Sequence, residues 1–97
     1  MPTYISLISW TDQGIRNIKE APQRIDAFKN AVEAAGGKMN GFYVTMGKYD
    51  LVTIVDVPSD EAMADIALST GSKGNIRSET MKAFGEDQFR KMITKLR

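Results

Sequence analysis

The chain has 97 residues, a net charge of +1, and a composition that is 42% hydrophobic and 26% charged. A sequence of this length forms one small domain, and this balance of residues is that of a folded protein rather than a disordered one. A net charge so close to zero provides no general attraction for nucleic acid or for an anionic membrane. We therefore predict a single domain over residues 1–97 that binds neither nucleic acid nor membranes.

Two residue types are missing, and their absence limits the chemistry. Without cysteine the chain forms no disulfide, thiolate nucleophile or cysteine-bound zinc site. Without histidine it lacks the commonest general base and metal ligand, and the usual axial ligands of haem are missing as well. We expect no metal and no cofactor. The N-terminus has no basic signal-peptide segment and no apolar run reaches membrane-span length, so we expect a cytoplasmic protein.

The first half of the chain predicts a strand, a short helical turn and a helix. Tyr4–Trp10 has the composition of a strand. The tetrad Thr11-Asp12-Gln13-Gly14 is typical of a turn that caps a short helical segment. Pro22 stands where a helix-opening proline belongs, and Gly36-Gly37 supplies the helix end. The apolar stripe of that helix is formed by Ile25, Phe28 and Val32.

The second half predicts a hairpin, a helix, a strand and a terminal helix. The predicted strands cover Lys38–Met46, Asp50–Val57 and Asn75–Phe84, and the predicted helices run from Pro58 to the break at Gly71 and from Glu86 to Leu96. The resulting order is βαββαβ with a C-terminal helix. It indicates an α+β, ferredoxin-like sandwich with an antiparallel sheet.

The central strands are apolar on both faces. Val52 and Ile54 point opposite to their neighbours Leu51 and Val55. Helices cover one face of such a sheet, so the other face needs a cover of its own. We predict a homodimer, or a higher oligomer, that pairs through the sheet. The alternative is a monomer in which the C-terminal helix crosses the open face.

Four separated segments resemble the GYD-domain family. They are Thr11–Gly14, Ala34–Lys38, Met46–Asp50 and Gly71–Thr80, and Gly47, Tyr49 and Asp50 stand behind the family name. The similarity extends from Thr3 to about Leu96. It implies a dimeric α/β-barrel, in which two ferredoxin-like sheets pack face to face. The wider superfamily includes cofactor-free monooxygenases, isomerases, haem enzymes and ligand-sensing domains, whereas the GYD family itself implies no established activity, so fold alone selects no role.

Five residues are candidates for a ligand site. Tyr49 and Asp50 place a phenol beside a carboxylate at the hairpin, where they would bind or deprotonate a small acid, or else shape the turn. Arg77 and Glu79 share one face of the last strand, where the guanidinium would bind a carboxylate ligand, or the two would form an ion pair with each other or across a dimer. Trp10 ends the first strand, where it would line a pocket or belong to the core.

These observations favour a homodimer that binds a small organic ligand of unknown identity. The expected pocket lies between sheet and helices and is lined by Trp10, Tyr49, Arg77 or Glu79. One alternative is a cofactor-free oxygenase or isomerase with Asp50 or Glu79 as its base, and another is an oligomerisation or regulatory module. No residue is assigned as catalytic.

Overall fold

The computed structural model describes all 97 residues and contains a four-stranded antiparallel sheet with two helices packed on one face. The strands lie in the order β2-β3-β1-β4. Their bounds are β1 Thr3–Trp10, β2 Lys38–Val44, β3 Leu51–Asp56 and β4 Ile76–Ala83. The helices are α1 Asp12–Arg16, α2 Ala21–Ala34, α3 Asp60–Gly71 and α4 Glu86–Thr94, and a 3₁₀ turn at Ile18–Glu20 leads into α2. The predicted ferredoxin-like fold is confirmed.

The helices begin and end at the positions that the local sequence indicates. The hydroxyl of Thr11 caps α1 by accepting a hydrogen bond from the Gly14 N–H at 3.1 Å. Ser59 caps α3 in the same way and accepts from the Ala62 N–H at 3.1 Å. Gly36 follows α2 with a φ of 87°, a left-handed conformation in which glycine carries no steric penalty.

The central hairpin has shorter strands and a longer loop than predicted. β2 ends at Val44 rather than Met46, and β3 begins at Leu51. The intervening loop is closed by the Thr45 N–H, which donates to the Asp50 carbonyl at 2.8 Å. Gly47 turns the chain inside this loop with a φ of 115°. Pairing stops at Val44 because the chain turns through a conformation that a strand does not adopt.

The core lies between the sheet and the two packed helices. Alternate residues of β1 and β3 point toward the helices and are buried, which is the pattern of a sheet covered on that side. The hydrophobic core is a cluster of six buried side chains: Tyr4, Val32, Val55, Val57, Met63 and Ile66. The side of the sheet that carries these residues is called the inner face below.

The other side of the sheet, the open face, has no cover. It carries Ile5 and Leu7 of β1, Val52 and Ile54 of β3, and Met81 of β4, and none of these side chains is fully buried. The alternative of a C-terminal helix crossing this face is wrong for the single chain, because every residue from Phe84 to Arg97 is exposed. The molecule is accordingly long and thin, measuring 52 × 31 × 18 Å. Among its helices, there is none with the length and hydropathy that crossing a bilayer requires.

Candidate functional site

A cavity of about 460 Å³ lies between the inner face of the sheet and α2, and it extends to the end of α3. Its walls are mostly apolar. The aromatic side chains Trp10, Phe28 and Phe42 line it, together with aliphatic residues of β1, β3 and α2. The small residues Ala21, Ala27 and Ala31 leave the space open on the helix side. The arrangement therefore suits an apolar molecule of limited size.

Trp10 is the predicted site residue that lines this cavity. It is held there by Asp50, whose carboxylate accepts a hydrogen bond from the Trp10 backbone N–H at 3.0 Å. The backbone N–H of Asp50 in turn donates to the Ile8 carbonyl at 2.8 Å. Asp50 does not line the cavity; its contacts fasten the hairpin to the end of β1.

Tyr49, Arg77 and Glu79 do not line the cavity either. Arg77 and Glu79 lie opposite Ser9 and Leu7 in the register of β1 and β4, which places both on the open face. Their neighbour Ile76 points to the inner face instead, because side chains alternate along a strand. The Tyr49 hydroxyl donates to the Glu79 carboxylate at 3.0 Å, so Glu79 is partnered by a phenol rather than by Arg77. The sheet therefore separates these three residues from Trp10.

Seven polar residues line the cavity, and Arg24, Lys73 and Thr53 are three of them that were not predicted as site residues. The guanidinium of Arg24 donates to the carbonyl oxygens of Asn17 at 3.0 Å and Gly14 at 3.3 Å. Thr53 is buried, and its hydroxyl is the one buried side-chain polar atom without a hydrogen-bond partner. Its position between Leu51 and Val55 on the inner face is visible in the sequence, because a polar residue there interrupts an apolar alternation. Arg24 gives no such signal.

The strongest electrostatic contacts lie at the opposite end of the sheet. The Tyr4 hydroxyl donates to Asp60, and this bond raises the pKa of Tyr4 to about 12. The same bond, aided by Lys82, holds the pKa of Asp60 below its usual value. Hydrogen bonds from Thr3 at 2.6 Å and Asn40 at 2.8 Å likewise lower the pKa of Asp56. These contacts join the start of β1 to its neighbours and have a structural role. No three carboxylates lie together as a metal site.

Comparison with known proteins identifies one family and one recurrent fold. The family model of the GYD domain matches residues 4–93. The chain is 30% identical, over 86% of its length and 88% of the relative's, to a glutamine synthetase and cystathionine beta-lyase binding protein of Thermus thermophilus.

Two solved structures illustrate the fold. A feast or famine regulatory protein of M. tuberculosis, complexed with L-methionine, matches with a TM-score of 0.65 at 18% identity over 88% of this chain. This chain spans about half of that regulator, 51% of its length. A crystal structure of a Thermus thermophilus protein matches with a TM-score of 0.54 at 24% identity, over 88% of this chain and 95% of the other. Likenesses at these identities establish the shared fold, and the family match over nearly the whole chain establishes that this protein belongs to the GYD-domain family.

Proposed function

We propose that this protein is a homodimer that binds a small organic molecule in the cavity between its sheet and helices. The observation that carries the proposal is the cavity itself. A volume of about 460 Å³ lies within the range of about 300–1,000 Å³ that small-molecule sites occupy. A ligand would supply the contacts that the aromatic walls lack.

The homodimer is supported by two uncovered apolar surfaces on the same chain. One is the open face of the sheet, and the other is the apolar side of α4, on which Phe89, Met92 and Ile93 are between 41% and 56% exposed. Soluble monomers rarely expose such surfaces together. A second copy with the same two surfaces can cover both in one symmetric contact, at about 800 Å² per subunit for a stable interface.

A ligand screen with a cavity-filling control tests the binding function. Thermal unfolding is followed in the presence of a broad panel of small organic acids, amines and amides, and Trp10 fluorescence reports entry into the cavity. A ligand that binds only the folded protein must raise the unfolding midpoint. We expect hits that are lost in Ala31→Phe, which fills the cavity, and kept in Ala34→Phe, which alters an exposed position at the end of the same helix.

Two results count against the function. The first is a panel that shifts neither the midpoint nor the fluorescence. The second is a set of hits that Ala31→Phe leaves unchanged, because those molecules would bind elsewhere.

A second candidate function is a module that binds partner enzymes. It is favoured by the Thermus thermophilus relative, whose name describes binding to glutamine synthetase and cystathionine beta-lyase and whose alignment covers 86% of this chain. Purified glutamine synthetase and cystathionine beta-lyase from the same organism as this chain would be tested against it by calorimetry. Micromolar or tighter binding supports this function, and no heat with either enzyme at high micromolar concentration removes it.

The enzyme alternative receives less support from the geometry. Asp50 is engaged with the backbone of Trp10, and Glu79 accepts a hydrogen bond from Tyr49 on the open face. Neither carboxylate lines the cavity, so neither lies where a bound substrate would meet it.

A further inference from the structure

We infer that the cavity selects an organic carboxylate that has an apolar body. This inference rests on the proposed binding function and specifies the ligand class for the same cavity. Three features of the lining carry it: its mostly apolar walls, the sign of its charges, and the fixed orientation of the Arg24 guanidinium.

The charged residues of the lining are all cationic. Arg24 and Lys73 line the cavity, and no Asp or Glu does. The two ion pairs of the molecule, Lys82–Asp60 and Arg90–Glu86, lie elsewhere. A bound anion would be attracted by both cations, whereas a bound cation would lose its hydration without gaining a carboxylate.

Arg24 is built to receive a carboxylate. Two backbone carbonyls, those of Gly14 and Asn17, hold its guanidinium in place. A guanidinium has five N–H donors, so donors remain for a ligand. Because the planar group is already oriented, a bidentate carboxylate would bind with little further loss of side-chain freedom.

Four matched probes test the inference by calorimetry and Trp10 fluorescence. They are 3-(4-hydroxyphenyl)propionate, 3-phenylpropionate, 3-(4-hydroxyphenyl)propionamide and tyramine. We expect both acids to bind at least tenfold more tightly than the amide. Tyramine is expected not to bind.

Variants assign the recognition to its residues. Arg24→Gln is expected to weaken binding of the hydroxylated acid at least tenfold and to leave the amide unchanged, and Lys73→Gln is expected to weaken the acid at least threefold. Lys29→Gln is the matched control, because Lys29 is an exposed cation on the same helix that does not line the cavity.

The results that would overturn this inference differ from those that would overturn the proposed binding function. Equal binding of acid and amide, or tighter binding of tyramine, overturns the ligand class while the cavity remains a binding site. Acid binding that survives both Arg24→Gln and Lys73→Gln overturns the assigned residues. If none of the four probes binds, the ligand class is overturned, and the broad panel described above decides whether the binding function stands.

Discussion

The buried hydroxyl of Thr53, which has no hydrogen-bond partner, makes a prediction about stability. Valine has nearly the same shape as threonine but needs no hydrogen bond, so Thr53→Val should raise the free energy of unfolding of the ligand-free protein by about 1 kcal/mol. Urea unfolding measures this difference.

Ser6 provides the matched control. It lies directly opposite Thr53 in the sheet and is equally buried, but its hydroxyl shares a hydrogen bond with Thr80 at 2.9 Å. Ser6→Ala should therefore lower the free energy of unfolding by about 1 kcal/mol. Destabilisation by both substitutions would show that the Thr53 hydroxyl already has a partner in the free protein.

Glycine is required at position 14 because the backbone of Asn75 lies too close to leave room for a side chain. A Cβ atom at this position would lie 2.0 Å from the backbone oxygen of Asn75, which is also bonded to the Thr11 N–H at 3.0 Å. Gly14→Ala should therefore cost about 2 kcal/mol or more in unfolding free energy. At Gly71, in the last turn of α3, an added Cβ would meet nothing within 4 Å. Gly71→Ala should be neutral or stabilising by about 0.5 kcal/mol, and a similar loss at both sites would refute the steric argument.

The bond between Tyr4 and Asp60 predicts how stability depends on pH. The pKa of Asp60 is lower in the folded state, so its carboxylate stabilises the fold above its unfolded pKa of about 3.9, and that contribution is lost as the pH falls through the folded pKa. The pKa of Tyr4 is raised to about 12, so its contribution is complete below its unfolded pKa of about 10 and is lost as the pH rises through about 12.

Tyr4→Phe removes this bond and should destabilise the protein across neutral pH. The difference from the parent protein should be constant between about pH 5 and pH 9 and should shrink as the pH falls below about 4. It is lost below the lowered folded-state pKa of Asp60, where this carboxyl is protonated in both proteins. Urea midpoints measured at several pH values give the profile. Tyr43→Phe is the control, because Tyr43 is 59% exposed. A difference for Tyr4→Phe that stays constant down to pH 2 would exclude this carboxylate as the cause.

At the scale of whole elements, the sequence predicts what is decided locally. Caps at Thr11 and Ser59, the left-handed Gly36 and the apolar spacing of α2 all act within a few residues, and the corresponding bounds agree with the structure. Which residues share a pocket is decided by strand register and by the way α2 lies over the sheet. The sequence alone gives neither the register nor the helix placement. For this reason the sequence predicts Arg77 in the pocket and misses Arg24, although each is a single arginine within a regular element.

The exposed helix α4 predicts a separation between folding and assembly. It contributes no buried residue to the core, so a chain ending at Phe84 should keep its circular dichroism signature of sheet and its cooperative unfolding at low concentration. If α4 packs on a second copy, the same truncation should weaken self-association at least tenfold. Sedimentation velocity compares the two chains. Unchanged association after truncation would leave the sheet face as the sole interface.

At the scale of the molecule, the open face predicts a dimer that one charge disrupts. Ile54 lies near the middle of this face, on a central strand, and a lysine there would have to be buried without a partner in a face-to-face pair. Ile54→Lys should convert the dimer to monomer at micromolar concentration without unfolding it. Ala34→Lys adds the same charge at an exposed helical position and should leave the dimer intact. A parent protein that sediments as a monomer at high micromolar concentration would refute the pairing.

Side chains of β1 alternate between the two faces of the sheet, so this one strand borders both the cavity and the open face. Ile8 and Trp10 border the cavity, whereas Leu7 and Ser9 alternate with them on the opposite surface. A ligand that changed the twist of β1 would change both faces of the sheet at once. Ligand binding within a subunit and dimerisation between subunits would then be energetically coupled, and each would change the affinity of the other by the same factor. The concentration of a metabolite would then set the fraction of chains that are paired, with no separate regulatory domain needed.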